Sequence, residues 1–394
     1  MENNFARPQI LRSGMRMSLH FCPAVVLKLF SLAARAGNWY RRRHPDSYRA
    51  EAYRAAFYAE AWQEAATQLG ASMELLGNDI LEIRYGRAYT RVRENTTAID
   101  DPMTLAVAAN KPLVYRLLVN RGLRVPHHLE FRLTDIAQAA AFIARWGGVW
   151  VVKPAHGAGG YGVTTGVTSG FDLLRAAVAS AAYEATLVVE QQAEGDNYRL
   201  LYLDGTLVDA VLRKQPTVVA DGRSSVRKLI RAENRARLEA GRKFAHVLVS
   251  IDMDMRRTLA QQGLALSSIP KKGTVVKLKT VINENSTAEN LRATSLLCGS
   301  IIEDGAAAAS AVGARLAAVD LVTRDPAVPL AQSGGVILEV NTTPGYHSHY
   351  YRQGEGCPVA LHVLKAILRS PIRTRPHGRQ EYVTLPCDSL EKQD

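Results

Sequence analysis

The sequence predicts an α/β chain built from two or three units. Three observations carry this. Short apolar runs alternate with Ala-, Glu- and Gln-rich stretches, the pattern of strands interleaved with helices. Glycines and Asp-Gly pairs cut these runs at close intervals, as turns between short elements require. Finally, 394 residues that are 47% apolar and 22% charged exceed the usual domain size of about 100–200 residues. That composition excludes wholesale disorder and fibrous repeats. No internal repeat or low-complexity tract interrupts it.

The elements follow in order. Residues 1–50 form a basic extension with one amphipathic helix expected over 17–36. His20, Lys28 and Arg35 interrupt that stretch and Pro23 sits inside it, so it does not read as a membrane span. Arg41, Arg42 and Arg43 follow where a leader peptide would place a cleavage site. It is read as docked on the body, with a weak membrane contact as the alternative. Residues 51–102 make a small α/β unit: a helix over 51–70 stopped by Gly70, then strands in 73–77, 79–86 and 88–95.

A second unit spans 103–190. It holds a helix over 103–121 ended by Gly122, and a helix over 134–146 with Thr134 as N-cap. A buried strand over 148–154, a short strand over 162–167, a helix over 170–182 and a strand over 185–192 complete it. A third unit spans 191–370. It opens with a hairpin over 198–216 turning at Asp204-Gly205 and continues with a helix over 222–239. Residues 314–322 are read as a helix running into a strand. A strand over 334–341 and an amphipathic helix over 359–369 follow. Residues 371–394 are read as a loose polar tail.

The charge is unusual. Lys+Arg number 49 against 37 Asp+Glu, a net +12 with pI near 9.6. Such a balance nominates nucleic acid, an anionic membrane or a polyanionic substrate. No zinc finger, basic-region heptad or aromatic–basic RNA motif is present, so no nucleic-acid partner is expected and membrane contact is disfavoured. Cys22, Cys298, Cys357 and Cys387 form no CxxC pair and no zinc spacing. They point to a reducing, cytoplasmic setting.

Three motifs carry chemistry. In VVKPAHGAGGYGV (151–163) a buried strand delivers Lys153, and Gly157, Gly159, Gly160 and Gly162 follow. Glycines so dense let backbone N–H groups approach an anion, and Lys153 supplies a fixed charge. The lysine precedes the glycines, so this is not a Walker A loop. The alternative is a mobile surface loop. In VDLV and GGVILEVNTTPG (319–345), Asp320, Glu339 and Asn341 come together if the two strands pair. Glu339 and Asn341, two apart, share a face. Two carboxylates and an amide oxygen suit Mg²⁺, and a carboxylate inside VILEV needs a partner in any case. The third, LVVEQQAEGDNYR (187–199), is a strand leading into a hairpin. It can present backbone groups to a flat ligand edge, or it is simply a polar strand end. Basic residues stand in strand-like text nearby: Arg199, Arg213, Lys214, Lys271, Lys272, Lys277 and Lys279. A cradle, a metal set and cations in one chain are the parts of phosphoryl transfer.

In this order the motifs resemble those of ATP-grasp carboxylate–amine ligases. They are most similar to the ATP-grasp part of cyanophycin synthetase and of bifunctional glutathione synthetase. VVKPAHGAGGYGVTTGV, EGDNYRLLYLDGTLV, VVADGRSSVRKLI, QQGLALSSIPKKGTVVKLK and LEVNTTPGYHSHY carry the resemblance, over about residues 100–350. It implies the ATP-grasp fold, two α/β subdomains clamping ATP. It implies ATP with Mg²⁺ (Mn²⁺ as a substitute) phosphorylating a carboxylate, and an amine attacking the acylphosphate. On this basis Lys111 and Lys153 hold phosphates and the glycine loop covers the triphosphate. Glu190, Gln191 and the backbone near Ala193 meet adenine. Asn197, or Asp196 beside it, meets the ribose. Asp320, Glu339 and Asn341 hold the metal. Arg199, Arg213 and Lys279 (or Lys277) steady the transferred group. NENSTAEN (283–290) departs from the family's glycine-containing loop, so the family's substrates do not carry over. Small-molecule or peptide carboxylates and amines are the expected partners, with a homo-oligomer left open. A phosphotransferase that stops at the phosphorylated product, and a non-catalytic nucleotide binder, are the rival readings.

Overall fold

The computed structural model describes residues 45–157, 159–241, 247–284, 290–351 and 355–369. The expected helix at 17–36, the arginines at 41–43, most of the loop at 283–290 and the tail at 371–394 lie outside the described residues.

Two sheets face the candidate site. The first is antiparallel, in the order β4–β7–β5–β6, from β4 (His128–Phe131), β5 (Trp150–Pro154), β6 (Thr164–Val167) and β7 (Leu187–Gln191). Its apolar face carries Trp150, Val152, Val167, Leu187 and Val189, packed beneath two helices, Ile136–Trp146 and Gly170–Ala181. The second sheet is antiparallel as well, in the order β12–β9–β8–β13–β14. Its strands are β8 (Asp196–Leu203), β9 (Thr206–Arg213), β12 (Leu291–Arg292), β13 (Leu316–Thr323) and β14 (Val336–Asn341). The β8–β9 hairpin turns at Asp204 (φ 50°) and Gly205 (φ 76°), the left-handed pair that a two-residue hairpin selects.

Both faces of the second sheet are covered. Tyr198, Leu200, Tyr202, Val319, Leu321 and Ile337 pack against the helices of residues 102–119 and 299–312. Leu201, Leu316 and Ala318 share the other core with Phe57, Trp62, Ile83 and Val363. The helix Pro45–Leu69, the sheet β1 (Ser72–Gly77), β2 (Ile80–Tyr85) and β3 (Ala88–Val92), and the terminal helix Val359–Arg369 therefore close over that side. A fourth core joins the helices Val226–Ala240 and Met253–Gln261 to the two-stranded sheet of β10 (Thr217–Val219) and β11 (Val275–Lys277).

Three local expectations change. The helix expected over 103–121 is two helices, Pro102–Ala109 and Lys111–Val119. Asn110 between them is extended (φ −102°, ψ 97°), and its side chain accepts from Leu113 N–H. Pro112 lacks the N–H that a continuing helix would need, but it suits the first turn of a new one. Thr134 does not cap the next helix: it lies in a 3₁₀ turn over Leu133–Asp135, and the helix starts at Ile136. Residues 314–322 contain no helix. The helix lies upstream at Gly299–Val312 and ends at Gly313 in the left-handed conformation, so the chain is already a strand from Leu316.

Candidate active site

The site forms where the two sheets face each other. Register sets it. Asp320 on β13 stands opposite Arg199 on β8 and opposite Glu339 on β14. These three side chains make one row across one face, because directly opposed residues of antiparallel strands share a face. Arg213 on β9 stands opposite Asn197, one step along the same face.

Asp320 is 5% exposed, and a carboxylate so buried needs compensation. Arg199 grips it with both ends of its fork, Nε to Oδ1 at 2.8 Å and a terminal nitrogen to Oδ2 at 2.7 Å. Arg213 adds a contact to Oδ2 at 2.9 Å and donates twice to Asn197 Oδ1, at 2.8 and 2.6 Å. Burial alone would raise the Asp320 pKa, but the two guanidiniums hold it below the usual carboxylate range. Burial, with the neighbouring Arg199 charge, pushes Arg213 down to about 10. For Arg199 the attraction of Asp320 outweighs burial and its pKa rises.

The first sheet supplies the other cations. Lys153 Nζ sits 2.8 Å from Glu190 Oε2 and donates to the Tyr115 hydroxyl at 3.0 Å. That hydroxyl lies 2.6 Å from Glu190 Oε2 and 2.8 Å from the Leu338 carbonyl on β14. One buried tyrosine thus stitches the two sheets beside Glu339. Burial, reinforced by Glu190, keeps its proton on well above the ordinary tyrosine range. Lys111 closes the arrangement. Its backbone N–H donates to Ala155 O at 3.1 Å. Its Nζ donates to Gly157 O at 2.6 Å and lies 3.4 Å from Glu339 Oε1. Gly157, Gly159, Gly160 and Gly162 all have φ between 68° and 109°, backbone that only glycine adopts at no steric cost.

The structure therefore brings together Lys111, Lys153, the glycine loop, Glu190, Arg199, Arg213, Asp320, Glu339 and, on the same strand face, Asn341. It gives three expected residues other surroundings. Gln191 alternates away from Glu190: it pairs with Trp150, and its amide approaches Gly148. The two side chains therefore point to opposite faces of the strand. Asn197 is buried and spends its oxygen on Arg213, so its contact is with the arginine that flanks Asp320. Lys279 sits in a separate cluster, 2.6 Å from Asp252 Oδ2 and 2.8 Å from Glu284 Oε2. Lys277 is exposed on β11. Ala193 lies in the linker 192–195 between the two sheets. Sequence reasoning missed Tyr115. Its signal was the four-residue spacing from Lys111, which stacks both on one side of a helix.

A divalent cation would meet two carboxylates and an amide. Among the described residues no three His, Cys, Asp or Glu side chains converge. Asn341 Nδ2 is buried without a hydrogen-bond partner; the cation would be met by its Oδ1 instead. A carboxylate offers about four acceptor sites; the arginines take three of them on Asp320, one on Oδ1 and two on Oδ2, which leaves about one, on Oδ1. The donor set fits a hard cation.

No family model matches the chain. Over 288 residues it is 28% identical to the cyanophycin synthetase of Trichormus variabilis, covering 70% of this chain and 31% of that protein. Over 314 residues it is 26% identical to the bifunctional glutathione biosynthesis protein of Enterococcus faecalis, covering 77% and 41%. The chain thus spans about a third to two fifths of the length of these curated relatives. Among solved structures, a bifunctional glutathione synthetase from Pasteurella multocida aligns with a TM-score of 0.50 at 24% identity, over 77% of this chain and 44% of that one. The fold, built on two antiparallel sheets flanked by helices, is that of the ATP-grasp proteins. No described helix is long and apolar enough to cross a membrane.

Proposed function

We propose that this chain is an ATP-dependent ligase joining the carboxylate of an amino acid or peptide to an amine through an acylphosphate. One observation carries the reading. Lys111 touches the glycine loop at Gly157 and approaches Glu339 on the facing strand, so phosphate-holding and cation-holding groups meet at one point.

In this reading the carboxylate oxygen attacks the γ-phosphorus and the bond to ADP breaks. The amine nitrogen then attacks the acyl carbon, and phosphate leaves with the electron pair of the C–O bond. The amine proton passes to solvent or to the departing phosphate. No side chain forms a covalent bond. The chain positions and neutralises. Lys111 and Lys153 meet the phosphates, and the backbone around Ala193 meets adenine. Arg199 and Arg213, held in place by Asp320 and Asn197, meet the transferred group. Asp320, Glu339 and Asn341 would hold Mg²⁺, which supplies charge neutralisation on the triphosphate; Mn²⁺ fits the same oxygen donors. The cytoplasm, where ATP and amino acids coexist, is the matching compartment.

The test is phosphate release from ATP against panels of amino acids and short peptides, with mass spectrometry of each mixture. Release that needs both an acid and an amine, with an amide mass, is expected. ADP with a stable phospho-product and no amide would favour a phosphotransferase and overturn the ligase.

A further inference from the structure

The strand leaving the glycine loop is an edge strand. Among the described residues β6 pairs only with β5, and no described strand meets its outer backbone groups. An uncovered edge is normally blunted or capped. Here the cap comes from another core. Arg257, on the helix Met253–Gln261, donates through Nε to Thr165 O at 3.2 Å and through a terminal nitrogen to Gly166 O. Its remaining terminal nitrogen donates to Asp172 Oδ1 at 2.6 Å. Asp172 lies in the first turn of the helix that follows β6. The same strand is gripped from the linker side, where Gly166 N–H donates to Gln192 Oε1 at 2.8 Å.

A second residue of that helix works beside it. Asp254 is 1% exposed and accepts from Thr165 Oγ1 at 2.8 Å, Thr280 N at 2.9 Å and Val281 N at 3.0 Å. Residue 166 is glycine at φ +68°, backbone that other residues adopt only with strain, and the Gln261 amide of this helix packs over its Cα. The contact is polar and charge-assisted, and it joins two separate apolar cores.

We propose that Arg257 and Asp254 are positioning residues for the nucleotide: Arg257, by capping the edge of β6, and Asp254, by holding the Thr165 hydroxyl, fix the exit of the glycine loop, and so set ATP affinity without touching ATP. This rests on the nucleotide-binding reading above. If the cap opens, Thr165 and Gly166 lose their partners and residues 159–163 lose one fixed end. Losing one charge-assisted bond to a buried group is worth about tenfold in an equilibrium constant.

The experiment measures binding of the β,γ-imido analogue of ATP with Mg²⁺ by calorimetry, with hydrogen exchange followed in parallel. Arg257→Gln and Asp254→Asn are expected to weaken binding about tenfold. Arg257→Lys is expected to restore part of the loss. Exchange should rise over 159–166 and stay unchanged in β13 and β14. If Arg257→Gln does not fold, Asp172→Asn keeps the arginine, removes one anchor and should weaken binding about threefold. Folded variants with wild-type affinity and unchanged exchange over 159–166 overturn the positioning role alone. Failure of the wild-type chain to bind the analogue overturns the nucleotide reading and this inference with it.

Discussion

Asp320 is the most heavily compensated charge in the site, and its substitutions separate structure from chemistry. Asp320→Ala leaves two buried guanidiniums facing one another. Removing one member of a buried charge set costs about 3–5 kcal/mol, so a lower urea midpoint is expected as well as lost turnover. The pH dependence has a definite sign. The folded Asp320 pKa lies below that of a free carboxylate. Its stabilising contribution is complete above the unfolded value near 4 and is lost as pH falls below that value towards the folded one. Urea midpoints of wild type and Asp320→Asn should therefore differ most at neutral pH and converge in acid. Glu339→Gln isolates the chemistry. Glu339 is partly open to solvent, so folding should be retained while turnover falls about 100-fold or more. A Glu339→Gln enzyme with wild-type turnover would break the site assignment. Lys279 behaves in the opposite way. Its buried Nζ answers Asp252 and Glu284, so Lys279→Met should lower the melting temperature, at a cost of about 1–3 kcal/mol. In folded protein it should leave affinity for the ATP analogue close to wild type.

At the scale of elements, the linker between the two sheets depends on Gly195. Its φ is +128°, and a Cβ would stand 2.2 Å from Thr323 O. Gly195→Ala should shift β8 against β13, where Asp320 meets Arg199, and cost more than an ordinary loop substitution in a thermal melt. The strands and the hairpin were legible because their signals are local. Apolar runs such as VWVV and VVE are bounded by glycine or polar residues, and Asp204-Gly205 marks its turn. The helix Gly299–Val312 was not legible. Cys298 provides no side-chain cap, and Gly299 and Gly305 lower the local propensity. Gly305 is there for a tertiary reason: the Tyr202 hydroxyl would stand 2.2 Å from a Cβ. The break at Asn110 is similar. It brings the Lys111 N–H to Ala155 O, and nothing within the helix text announces a partner 44 residues away.

For the whole molecule, the ordered motifs made the fold readable, and they brought Asp320 and Glu339 together on condition that their strands pair, which the register shows they do. What stayed hidden was which charges answer each other. Spacing names Arg199, Arg213, Lys153 and Lys279 alike, and only packing assigns the first two to Asp320, the third to Glu190 and the last to a separate cluster. The net +12 divides in the same way. Lys111, Lys153, Arg199 and Arg213 gather at the candidate site, each beside a carboxylate, while Arg223, Arg227, Lys228, Arg231 and Arg235 are exposed on the helix Val226–Ala240 and the turn before it. The central claim is that the proposed site activates a carboxylate with ATP and passes it to an amine. The most direct measurement supplies ¹⁸O-labelled carboxylate substrate, ATP and amine, and follows the label by mass spectrometry. Transfer of one ¹⁸O from the carboxylate into the released phosphate, together with an amide product, is the expected result. Unlabelled phosphate, or phosphate release without any acid present, would contradict it.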